Sequence, residues 1–138
     1  MAGVPDTLIP QPCTLVIFGG AGDLSRRKLV PAVYNLNLDG ILPANFAVLG
    51  FAREDLTDEA YRALVKEGVQ KYSRRPIDPN HWPDFERTLF FQPGEFDQPA
   101  AYETLKRRLE EIEPKFGIPG NRIFYLAIPP SLIRMCVE

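Results

Sequence analysis

Cysteine and histidine are both scarce in this chain of 138 residues, which has two of the first and one of the second. Cys13 and Cys136 lie far apart and fit no metal or redox spacing, so they read as reduced thiols of a cytoplasmic protein rather than as a disulfide framework. No apolar run approaches the ~20 residues that a membrane-spanning helix needs, and no membrane partner is expected. A charge excess is missing as well. Sixteen Lys and Arg against eighteen Asp and Glu give a formal charge of −2. No basic stripe alternates with aromatics, so the sequence does not point to nucleic acid. The first twelve residues, MAGVPDTLIPQP, have neither a basic start nor an apolar core, and are expected to form an extended lead-in rather than a signal peptide. Internal repeats and low-complexity tracts are absent too.

What the sequence does have is regular alternation. Its 45% hydrophobic and 25% charged residues suit one globular domain with a core of its own. Thr14 to Phe18 (TLVIF) reads as a buried strand closed by glycine. Leu24 to Leu38 follows with helical spacing, placing Leu29, Val33 and Leu36 on one face, and Asp39-Gly40 stops it. Pro31 inside that stretch predicts a kink or a fresh helix start. Phe46 to Phe51 is a second strand. Thr57 is the expected N-cap of a second helix, whose apolar face carries Tyr61, Leu64, Val65, Val69 and Tyr72. An irregular connection with room for a short helix leads to a third strand, Thr88 to Phe91. A third helix has Tyr102, Leu105, Leu109 and Ile112 on one face. A fourth strand, Ile123 to Ile128, runs into Pro129-Pro130, which is expected to open a last helix. The order β-α-β-α-β-α-β-α predicts an α/β fold: a Rossmann-like, doubly wound parallel sheet with helices on both faces, of which about four strands are present.

In such a sheet, ligands bind beyond the carboxyl ends of the strands, where the strand order reverses. The first strand-to-helix turn lies there. Gly20-x-Gly22-x-x-Ser25 fits the G-x-G-x-x-G/A pattern with a small third residue, and Gly19 adds slack. Glycine permits the tight turn and leaves room for a pyrophosphate beside the backbone, while the following helix presents unpaired N–H groups. A P-loop would need Gly-Lys-Ser/Thr, which is absent. Asp23 is at odds with an anion site. Its carboxylate would repel phosphates, so the side chain is expected to turn back and cap the helix or pair with a cation. At the end of the second strand, an acid would suit the ribose hydroxyl of NAD and an arginine the 2′-phosphate of NADP. Arg53 stands there, followed by Glu54 and Asp55.

Three stretches together, FGGAGDLSRRKLVPAVYNL, LGFARE and NRIFYLAIPPSLI, resemble the N-terminal half of the coenzyme domain of the glucose-6-phosphate dehydrogenase family. The resemblance extends from Cys13 almost to the end. It implies an enzyme that oxidises glucose 6-phosphate at C1 to the phosphogluconolactone and passes a hydride to NADP. By that resemblance Gly19, Gly20, Ala21, Gly22, Asp23, Leu24, Ser25 and Arg26 wrap the pyrophosphate, and Arg53 meets the adenosine 2′-phosphate. Tyr125 would line the coenzyme cleft, and Glu95 and Phe96 would lie near the adenine side. The family's substrate lysine, in Glu-Lys-Pro-Phe-Gly, and its catalytic histidine, in Arg-Ile-Asp-His-Tyr, have no counterpart here. Residues 13–138 are therefore expected to be the N-terminal portion of an NADP-binding domain, truncated before the substrate domain, without catalytic residues or activity of its own. Glucose 6-phosphate would be met through the missing domain, and the parent is expected to be a homo-oligomer. His81 matches nothing catalytic and has no orienting acid at suitable spacing. One other reading remains, a stand-alone module that senses NADP(H) without catalysis; a short-chain reductase would need a Tyr-x-x-x-Lys pair and is set aside on the expectation that none is present.

Overall fold

The structure is a computed structural model that describes residues 12–22, 25–40, 45–73 and 75–126. Four parallel strands form one sheet: β1 Cys13–Phe18, β2 Phe46–Ala52, β3 Leu89–Pro93 and β4 Arg122–Leu126, in the spatial order β3-β2-β1-β4. Chain order thus reverses between β1 and β4, as the doubly wound arrangement requires.

The two central strands β1 and β2 are buried along their whole length, which is why they read as uninterrupted apolar runs, whereas Ile123, Phe124 and Tyr125 of β4 are exposed. Successive residues alternate between two cores. Leu15, Ile17, Phe46 and Val48 face one core, and Val16, Phe18, Ala47 and Leu49 the other. The first core is covered by α1 Val30–Leu38, α2 Asp58–Tyr72 and the short α3 Trp82–Glu86. The second is covered by α4 Pro99–Lys115 through Leu105, Leu109 and Ile112. Helices on both faces of a parallel sheet are what the alternation predicts.

The helix boundaries follow local chemistry. Thr57 caps α2, its Oγ1 accepting the amide of Ala60 at 3.1 Å. Ahead of α1 the chain makes a wide π-helical turn, Ser25–Leu29. Regular helix begins only at Val30, with Pro31 in its first turn. Proline has no N–H to give and its ring crowds the preceding turn, so the fresh start expected at Pro31 is where regular geometry resumes. The buried face of α1 differs from the spacing-based expectation: Val30, Val33 and Tyr34 are buried, whereas Leu36 is 38% exposed. The widened turn advances the helix out of 3.6-residue register, and Tyr34 takes the inward place. The last predicted helix, residues 127 and 128 of the fourth strand, Cys136 and most of the N-terminal lead-in lie outside the described residues. Among the described residues, no helix is long and apolar enough to cross a membrane.

His81 is half-buried at the junction of α3 with α1. Its Nε2 lies against Asn37 Oδ1, and its ring packs beside Tyr34. Asn37 belongs to the last turn of α1, and α1 leads away from the glycine loop, so His81 sits at the opposite end of the sheet.

Candidate functional site

The carboxyl ends of the four strands collect the residues singled out from sequence. The first is the glycine loop, and its glycines serve distinct purposes. Gly19 has φ +84°, the left-handed region where side chains are strained. Its amide donates to the carbonyl of Phe51 at 2.8 Å, tying the loop to the end of β2. A Cβ on Gly20 would lie 2.6 Å from the Cα of Gly50, so that position is closed by the backbone of β2. Gly50 in turn has no space, because its Cβ would lie 2.9 Å from the ring of Tyr61. Gly22 is different: its Cβ would meet only the Gly19 peptide, with the nearest atom at 3.1 Å, and nothing else among the described residues within 4 Å. Close ligand approach is therefore possible at Gly22, while Gly20 is glycine for packing.

The amide of Gly22 donates to Gly19 O at 2.9 Å and that of Arg26 to Gly22 O at 3.0 Å. The amides of Gly20 and Ala21 find no backbone acceptor among the described residues. Ser25, in the third place of the motif, is fully buried, and its Oγ also has no hydrogen-bond partner among the described residues. Unfilled donors of this kind normally meet a ligand or water. The loop thus fits an anionic group through its amides, the Ser25 hydroxyl and the open side of Gly22. Asp23 and Leu24 lie outside the described residues.

Arg53 comes directly after β2, two residues beyond the carbonyl that holds Gly19. It is exposed and, among the described residues, makes no ion pair. On the far side, the amide of Gly94 donates to Ala52 O at 2.8 Å, and Glu95 and Phe96 follow. Phe96 is half-buried and stacks on Phe18, with ring centroids 5.8 Å apart and planes 8° from parallel. Its carbonyl accepts the hydroxyl of Tyr102 at 2.6 Å, which fixes the turn. Glu95 is exposed beside it. Tyr125 pairs with Ile17 across the β1–β4 boundary and is 42% exposed. The glycine loop, Arg53, the 95–96 turn and Tyr125 thus come from four separate segments to one end of the sheet.

One spacing deserves a correction. Tyr102 and Lys106 do form a Tyr-x-x-x-Lys pair on α4, but the Tyr102 hydroxyl is held by Phe96 O and its ring packs against Phe18 and Phe51. It is a packing residue, so the reductase reading finds no support in it. Sequence reasoning also passed over Gly50 and Gly68. Glycine within a strand or on a buried helical face is itself the signal of close backbone approach.

The comparisons with known proteins bear on the fold and the family. Residues 16–138 match the family model described as glucose-6-phosphate dehydrogenase, NAD binding domain. A glucose-6-phosphate 1-dehydrogenase of Chlamydia pneumoniae is 42% identical over 127 residues, covering 92% of this chain and 25% of the relative. Glucose-6-phosphate 1-dehydrogenase 2 of Mycobacterium bovis is 42% identical over 130 residues, covering 94% and 25%. A solved glucose-6-phosphate dehydrogenase in complex with its substrate superposes with a TM-score of 0.80 at 30% identity, over 94% of this chain and 27% of that one. The chain spans about a quarter of the length of the curated relatives it matches.

Proposed function

The chain belongs to the glucose-6-phosphate dehydrogenase family, matching its dinucleotide-binding domain, and from that premise we propose that it is the coenzyme-binding part of an enzyme that oxidises glucose 6-phosphate with NADP. In that reaction the C1–H bond of the sugar breaks, its electron pair and hydrogen pass to the nicotinamide ring, and the C1 hydroxyl loses a proton to a base. The lactone forms as the bond from C1 to its former hydroxyl oxygen becomes a carbonyl, the ring oxygen staying in place. The residues of this chain hold and orient the coenzyme, while the base and the sugar contacts belong to the rest of the enzyme. Residues 13–138 are read as the N-terminal portion of that domain, in a reducing cytoplasm that suits the buried free thiol of Cys13.

The observation that carries the NADP reading is the hydrogen bond from Gly19 to Phe51 O. It places the loop that would receive the pyrophosphate beside the end of β2, where the exposed Arg53 can meet a 2′-phosphate with paired donors. The amides of Gly20 and Ala21 and the Ser25 hydroxyl would take the pyrophosphate beside the open side of Gly22, with Gly19, Asp23, Leu24 and Arg26 completing the segment. Phe96 has one face on Phe18, and with Glu95 would flank the adenine. Tyr125, next to β1 at the reversal point, would line the cleft toward the nicotinamide.

Titrating the parent enzyme and its Arg53→Ala variant with NADP and with NAD tests the assignment. Loss of one charge-assisted contact costs about 1.5–3 kcal/mol, so NADP affinity is expected to fall roughly ten- to a hundred-fold while NAD affinity holds. An unchanged ratio of the two affinities would remove Arg53 as the discriminating residue.

A further inference from the structure

The π-helical turn Ser25–Leu29 does not pack on the sheet alone. Its second residue rests on α2, at a place where α2 has no side chain. Gly68 is buried, and a Cβ there would lie 2.8 Å from Arg26 Cγ and 2.9 Å from the Arg26 carbonyl oxygen. A side-chain tip could swing aside, but a carbonyl can move only with its peptide. One turn further along α2, the guanidinium of Arg27 lies over the ring of Tyr72, 5.3 Å from its centroid. The C-terminal half of α2 is thus a seat for the start of the basic run.

That seat is connected to the coenzyme loop by backbone hydrogen bonds. Arg26 N donates to Gly22 O, Gly22 N to Gly19 O, and Gly19 N to Phe51 O. The loop is therefore held at one end by β2 and at the other by the contact of Arg26 with Gly68. We propose that Gly68 is a positioning residue for coenzyme binding: by letting the Arg26 peptide lie against α2, it sets the place of the adjoining Ser25 hydroxyl and, through the hydrogen bond from Arg26 N to Gly22 O, of the loop amides at Gly20 and Ala21. The inference rests on the reading of that loop as the pyrophosphate site. Gly68 itself touches no coenzyme.

Alanine at position 68 would push the Arg26 peptide outward until the contact reached an ordinary distance. The amides upstream would move with it, and the geometry of charge-assisted hydrogen bonds is strict. In the parent enzyme, Gly68→Ala is expected to weaken NADP binding by about tenfold, the equivalent of one such contact. At saturating coenzyme, kcat and the KM for glucose 6-phosphate should stay as in wild type. Val65→Ala, one turn earlier on the same buried face, is the comparison. It should lower the melting temperature through the cavity it leaves, with NADP affinity unchanged. If Gly68→Ala likewise loses melting temperature but keeps its NADP affinity, Gly68 is a packing residue only and the proposal fails. Should Gly68→Ala not fold, hydrogen exchange of the wild-type enzyme decides. NADP is expected to slow exchange in residues 65–72 together with the glycine loop, and slowing confined to the loop would overturn the proposal. A wild-type enzyme that binds no NADP would instead bring down the coenzyme reading, and this inference with it.

Discussion

Tyr61 is the residue where packing and polarity conflict most openly. Its ring is fully buried, tilted against Phe91 with centroids 5.1 Å apart and lying over the bare Cα of Gly50. Its hydroxyl has no hydrogen-bond partner among the described residues. Burial pushes the phenol far above the usual tyrosine range. Because the folded-state value is raised, this group's contribution to stability is intact below the unfolded tyrosine value of about 10 and is lost as pH climbs toward the folded value. Tyr61→Phe removes the unpaired hydroxyl and keeps the ring. It is expected to gain about 1 kcal/mol at neutral pH and to lose less stability than wild type above pH ~10. Urea unfolding of both proteins at neutral and alkaline pH measures this, and parallel alkaline losses would mean that the phenol ionises as readily in the fold as in the unfolded chain. Arg53 makes the opposite case at the same scale: exposed and without an ion pair among the described residues, it adds nothing evident to the fold and is available to a ligand.

At the scale of elements, the outer edge of the sheet is closed by side chains. β3 is an edge strand, and its unpaired groups would template association with another strand if left open. Here the amide of Phe91 donates to Asp58 Oδ1 at 2.9 Å, and the carbonyl of Leu89 accepts Arg62 Nε at 2.9 Å. Both partners come from α2. Arg108 of α4 pairs with the other oxygen of Asp58, and the guanidiniums of Arg62 and Arg108 both lie over the ring of Phe90. Asp58→Ala would strip the edge amide and Arg108 of their acceptor together. It is expected to destabilise the fold by about 1–3 kcal/mol and to increase self-association. Denaturant unfolding and light scattering would report the two effects, and a variant as stable and as dispersed as wild type would show the edge to be closed by other means. On the opposite side, β4 is joined to α4 by Glu113, which is buried and accepts two bonds from Arg122 at 2.7 and 3.1 Å. That pair holds the start of the strand next to β1, where Arg122 lies opposite Thr14 at the end of the sheet away from the glycine loop.

For the whole molecule, the expected outcome is coenzyme recognition without turnover. The single histidine is bound to Asn37 at the end of the sheet remote from the glycine loop, so it cannot take a proton from a sugar held near the nicotinamide. About three-quarters of the matched relatives' length has no counterpart in this chain. Without the rest of the site, near-attack positioning worth roughly 7–11 kcal/mol is unavailable. Residues 1–138, purified free of host dehydrogenase, are expected to reduce no NADP in the presence of saturating glucose 6-phosphate. Absorbance that rises in proportion to the chain's concentration would mean that the active site has been misplaced. The sequence by itself determined the alternation of elements, the buried character of the strands, the cap at Thr57 and the position of the glycine loop after β1. Each of these is written in hydrophobic period and turn chemistry over a few neighbouring residues. Only the tertiary structure decided the strand order, the inward turn of Tyr34 in place of Leu36, and the different duties of Gly19, Gly20 and Gly22. It also decided the seating of Arg26 on Gly68 and the stacking of Phe96 on Phe18. Those depend on backbones and rings brought together from positions some thirty or more residues apart, and no local window of sequence records which of them will touch.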